Sequence, residues 1–193
     1  MDDFKNLKRL YRQLTEDIWI EMPLYYYNLG RSIRFEIAEH GQYEEKNIMS
    51  FILSLCNDMF FSDKLIAVQI TDAEVRCIKT ISNLLGENNK SRFVYTFMSK
   101  AEDEDYQVMQ KARVYIINNN EDVLKVLLSR AYEMKLDSQL FLVDVNQKCA
   151  INIYDERGCD VVILDTTIRR TIYNKYSDWV FEYNREEIEL SFK

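Results

Sequence analysis

The chain has 193 residues, 47% of them hydrophobic, with 25 basic and 32 acidic side chains giving a net charge of −7. A chain of this size buries enough surface to need no disulfide or metal staple, and its one proline and four glycines exclude glycine-rich phosphate loops and a turn-dense all-β sandwich. The acid excess argues against a nucleic-acid partner, whose phosphates require clustered lysine and arginine, and instead suits solubility or a basic protein partner.

In chain order, Phe4, Leu7, Leu10, Tyr11, Leu14, Ile18 and Trp19 recur at helical spacing, so a helix is predicted over 3–20, ending before Pro23. Residues 24–27 are an aromatic lead into Gly30, and 32–37 alternate apolar with polar, as a half-exposed strand does. A helix over 43–61 carries Ile48, Phe51, Ile52, Leu55 and Met59 on one face, and 64–71 form a strand. Asp72 is placed as the cap of a third helix bearing Val75, Ile78, Ile81 and Leu85, which Gly86 closes in a left-handed cap before a polar loop over 87–90.

Strands follow at 92–98 and 113–117, separated by an acidic connector that contains Glu102, Asp103, Glu104 and Asp105. Asn119 and Asn120 are placed as caps of a helix running to about residue 135, with Glu121 and Asp122 favoured in its first turn by the helix dipole. Three consecutive strands, 139–145, 149–155 and 160–164, then form a meander, with Gly158 assigned the positive-φ position of a hairpin. Asp165 caps a helix through Ile168, Ile172 and Tyr176, and an aromatic tail with Trp179, Phe181 and Tyr183 leads into a short helix from Arg185. The expectation is α+β: one domain over 1–193, helix-rich to residue 90 and strand-rich beyond, with a mixed or antiparallel sheet and C-terminal meander packed against several helices.

Catalytic groups are scarce. His40 is the one histidine and lies in a predicted loop; Cys56, Cys77, Cys149 and Cys159 form no C-x-x-C pair, and three of the four sit in apolar runs as small core residues. No cofactor or metal ion is expected. The carboxylates Asp155, Glu156, Asp160 and Asp165 gather around the last hairpin and offer an alternative, a metal-dependent enzyme. No secretory leader and no apolar run of about 20 residues is visible, so a reduced cytoplasm is the expected setting and no membrane is expected as a partner. Tyr25, Tyr26 and Tyr27 cannot all face one core, which makes Tyr26 a candidate for partner contact.

The most specific segment reads Tyr154-Asp155-Glu156-Arg157-Gly158-Cys159-Asp160, followed by Tyr176, Trp179, Tyr183 and Arg185. With Gly30, Ile33, Arg34, Phe35 and Glu36 upstream, it resembles a bacterial domain-of-unknown-function family, number three-eight-eight-five. The resemblance is strongest over 150–193, and Asn184 stands where that family favours an acidic residue. Physically, Gly158 makes the turn, Arg157 has Asp155, Asp160 or Asp178 as partners, and Trp179 and Tyr183 pack the tail over the meander. The motif is architecture first and a binding surface second.

The expectation for function is a non-catalytic protein-binding domain. By analogy with small acidic bacterial proteins it is immunity-like, neutralising a basic toxin or effector. Its candidate contact residues are Tyr26, Asp155, Glu156, Arg157, Asp160, Trp179 and Tyr183.

Overall fold

The computed structural model describes residues 24–37, 45–72, 80–86, 93–100, 107–133, 138–155 and 157–193. The predicted 3–20 helix, His40, Cys77, the 87–90 loop and the acidic run 102–105 lie outside these residues.

The centre is a seven-stranded sheet in which each neighbouring pair is antiparallel. Its strands are β1 (Ser32–Glu36), β2 (Lys64–Asp72), β3 (Phe93–Lys100), β4 (Gln107–Asn118), β5 (Gln139–Asp144), β6 (Cys149–Asp155) and β7 (Gly158–Ile163), in the spatial order β1-β7-β6-β5-β2-β4-β3. Among the described residues the α-helices are α1 (Leu24–Tyr27), α2 (Glu45–Met59), α3 (Ile81–Leu85), α4 (Glu121–Tyr132), α5 (Thr166–Lys175) and α6 (Arg185–Leu190). None is long and apolar enough to cross a membrane. The architecture is α+β, and the meander β5-β6-β7 lies where the sequence puts it.

Side chains of β2 alternate between two cores. Leu65 and Ala67 join the larger one, to which α2 gives Phe51, Ile52, Leu55 and Met59 and α4 gives Leu124, Leu127 and Leu128. Ile66, Val68 and Ile70 join the second, with Val114, Phe141, Val143, Val162 and Leu24. A strand apolar on both faces is buried on both faces, and each fully buried Leu, Ile or Phe contributes about 1.5–3 kcal/mol relative to exposure.

The expectation that β1 is half-exposed is not met. Ser32, Ile33 and Phe35 are buried. Two neighbours account for it. The α1 turn lies against β1, where the Ser32 hydroxyl donates to the carbonyls of Tyr25 and Asn28. On the outer edge, Val180 bridges to Phe35 and the Phe181 N–H donates to the Arg34 carbonyl at 2.9 Å. The tail thereby covers the backbone of an edge strand that would otherwise be open to pairing with another chain.

Other differences are local. Asp72 ends β2 opposite Gln110, and the residues expected to follow it as a helix, 73–79, lie outside the described residues; the described helix α3 starts after Thr80, whose hydroxyl accepts from Asn83 N–H. Gly86 has φ 86° and ψ 169°, an extended positive-φ conformation rather than the left-handed cap. Asn120 is the cap of α4, whereas Asn119 donates to the carbonyls of Phe60 and Ser62. β4 is far longer than the predicted 113–117 strand, because pairing with β2 on one side and β3 on the other holds its polar half extended.

Asp144 ends β5 and is fully buried. Its carboxylate accepts from the N–H groups of Phe61, Ser62, Asn146 and Gln147 and from the Ser62 hydroxyl, which fixes the entry to β2 and the β5-β6 turn together. Cys56, Cys149 and Cys159 are buried free thiols, as their apolar surroundings indicate. Burial pushes Cys56 up to about 12, so it stays protonated and inert.

Candidate functional site

The residues of the sequence signature converge where β1, β7, α1 and the tail meet. Antiparallel pairing sets Arg34 directly across from Asp160. Both are alternate-face residues of strands whose other face enters the larger core, so their side chains share one side of the sheet. Arg34 Nε donates to Asp160 Oδ1 at 2.8 Å and its terminal nitrogen to Oδ2 at 2.9 Å. A third donor, Tyr25 N–H, reaches Oδ2 at 3.0 Å. The Asp160 side chain is 0% exposed and that of Arg34 12%. The guanidinium lies 5.1 Å from the Tyr25 ring centroid and 5.5 Å from that of Tyr154. A forked, two-bond contact with aromatic cover is the geometry in which a desolvated arginine–carboxylate pair is tolerated.

This overturns two expectations. Asp160 is neither a surface contact nor an open metal ligand; it is an interior ion-pair partner. The partner is Arg34 rather than Arg157, which stands in the exposed turn, its carbonyl accepting from Ile37 N–H at 2.7 Å. Gly158 is also required for another reason than a positive φ. A Cβ there would stand 2.6 Å from the Phe35 carbonyl oxygen and 2.1 Å from the Tyr154 hydroxyl. The glycine permits β1 and the Tyr154 side chain to close over the strand.

From the same network Tyr25 reaches the last helix, its hydroxyl donating to Glu187 at 2.9 Å. Burial raises the Tyr25 hydroxyl well above its ordinary value, and the adjacent Glu187 carboxylate adds to the rise. The tail is held further by Trp179, stacked on Phe51 of α2 with centroids 4.2 Å apart and 9° between planes. Tyr176 packs edge-on against Phe51 and donates to Asp58 at 2.5 Å. Trp179 therefore clamps the tail to a helix, not over the meander as expected. Arg185 is turned inward, donating to Glu182, the Tyr173 hydroxyl and the Ser177 carbonyl.

Tyr183 behaves differently. It is 83% exposed, touching Phe181 at 6.2 Å between centroids, so it does not pack the tail over the meander either. Tyr26 lies in α1 and Asp155 at the end of β6, but their side chains, like the whole of Glu156, lie outside the described residues. Of the carboxylates grouped around the hairpin, Asp160 is held by Arg34, and Asp165 caps α5 by accepting from the N–H groups of Thr167 and Ile168. Among the described residues no three or more His, Cys, Asp or Glu side chains are grouped to hold a metal ion.

Arg34 was visible only through the resemblance, and Tyr25, Glu187 and Asp144 carried no readable signal. One was available for Arg34: a charged residue between Ile33 and Phe35 on a short strand needs a buried partner once both strand faces are covered.

A family model described as domain of unknown function (DUF3885) matches residues 7–184. A similar relative is uncharacterized protein YnaE of Bacillus subtilis (strain 168), 43% identical over 44 residues, a match that spans 23% of this chain and 21% of that protein. No solved structure matches.

Proposed function

The chain belongs to the DUF3885 family, and we propose that it is a non-catalytic protein-binding domain, immunity-like, which neutralises a basic toxin or effector. One observation carries the reading: Tyr183 is 83% exposed on a tail that is otherwise anchored on several sides. A tyrosine contributes a large apolar area with a polar tip at little conformational cost, which is why such residues anchor interfaces. Leaving one in solvent is unfavourable for a tail whose other aromatic residues, Tyr173, Tyr176, Trp179 and Phe192, find packing partners. The net charge of −7 favours a basic partner by steering and by complementarity. In the signature itself Arg34 and Asp160 are engaged with each other in holding the fold, which fits a non-catalytic role.

The test is co-expression with the product of the adjacent gene, followed by affinity isolation and a toxicity assay. Co-purification with loss of the neighbour's toxicity is the expected result. If no protein co-purifies and no neighbouring toxin is neutralised, the reading fails.

A further inference from the structure

We infer that the partner-binding element is the outer face of the last helical segment, and that it takes a basic amphipathic segment of a protein. This deepens the proposed function and rests on it. The 3-10 turn Glu182–Asn184 runs directly into α6, so 182–190 form one helical stretch. Asn184 and Ile188, four residues apart, are its buried side. Tyr183, Glu186 and Leu190 follow at spacings of three and four, which sets them in one stripe along the other side. All three are exposed, Leu190 to 54%.

The charges select the occupant. Between 177 and 190 the carboxylates of Asp178, Glu182, Glu186, Glu187 and Glu189 stand against the single guanidinium of Arg185. Arg185 is tied to Tyr173, Ser177 and Glu182, and so points away from the stripe's charge. Glu187 and Glu189 accept from Tyr25 and Tyr173 and serve the fold. Glu186 makes no ion pair among the described residues, and it lies between an exposed ring and an exposed aliphatic side chain. A cation that stacks on Tyr183 can reach Glu186, with an aliphatic neighbour over Leu190. A second copy of this acidic chain would meet like charge, and a nucleic acid would be repelled.

An NMR titration of the full chain tests the inference, with a peptide alternating arginine and leucine as probe and octalysine as its charge-only control. Saturable shifts confined to the amides of 182–190 are expected. Tyr183→Ala should weaken the arginine–leucine peptide about tenfold or more, as removal of an aromatic anchor does, and octalysine should bind at least that much more weakly. Tyr183→Ala leaves the fold intact, which an unchanged thermal midpoint verifies. Shifts elsewhere on the molecule, no saturable binding, or an affinity within twofold for Tyr183→Ala would overturn it. In the co-expression assay, a Tyr183→Ala/Glu186→Lys variant that still retains the neighbour's product sinks this inference and spares the proposed function. Failure of the native chain to retain it sinks both.

Discussion

Replacing Arg34 with methionine keeps the length and apolar stem of the side chain and removes its charge. The Asp160 carboxylate, 0% exposed, would keep only the Tyr25 N–H as donor. Breaking a buried pair by removing one partner costs about 3–5 kcal/mol, because the orphaned charge has no solvent. The guanidinium's contacts with the rings of Tyr25 and Tyr154 are lost in the same step. Domain stabilities are about 5–15 kcal/mol, so the variant should be folded but marginal. With a urea m-value of about 2–3 kcal/mol/M, the midpoint should fall by about 1–2.5 M at unchanged m. Arg34→Met/Asp160→Asn removes both charges and leaves an oxygen for Tyr25 N–H, so it should recover about 2 kcal/mol or more of the loss. Equilibrium unfolding followed by circular dichroism measures all three proteins. An Arg34→Met cost under about 1 kcal/mol, the range of an exposed ion pair, would refute the reasoning, as would a double variant no more stable than the single.

Gly158→Ala should destabilise by about 2 kcal/mol or more through overpacking. Tyr154→Phe should not rescue it, since the Phe35 carbonyl still stands 2.6 Å from the new Cβ; full rescue in a thermal melt would contradict this. Asp144→Ala strands donors of the 61–62 and 146–147 segments, and about 2–4 kcal/mol should be lost, with hydrogen exchange quickening first at those amides. Tyr25 and Tyr176 have hydroxyls raised first by burial and then by Glu187 and Asp58. A raised value means the folded state holds the proton longer, so the stabilisation is whole below pH of about 10, the unfolded value, and declines as pH rises beyond it. Denaturant midpoints between pH 9 and 11 should fall, and less steeply in Tyr25→Phe/Tyr176→Phe.

Much of the fold was legible because local signals and tertiary demands agree. The face of α2, the caps at Asn120 and Asp165, and the β5-β6-β7 meander all follow from spacing and turn chemistry. The candidate site was legible only in part. Tyr183 was expected to pack but is exposed, because a turn of three residues followed by a helix of six hardly shows which side is covered. Asp160 was expected at the surface, because a strand buried on both faces has no alternation to reveal which polar residue has an interior partner.

Sequence alone determined the fold class, the caps at Asn120 and Asp165, the core character of three of the four cysteines, and the special standing of the 154–160 segment. These depend on neighbours a few residues apart. The tertiary structure decided that Asp160 belongs to Arg34, 126 residues away in the chain, that Gly158 is needed for close approach rather than for φ, and that Trp179 lies on α2 while Tyr183 stays in solvent. Each of these follows from which elements happen to lie side by side, and strand order across β1-β7-β6 is set by the burial of two cores together rather than by any one segment's pattern.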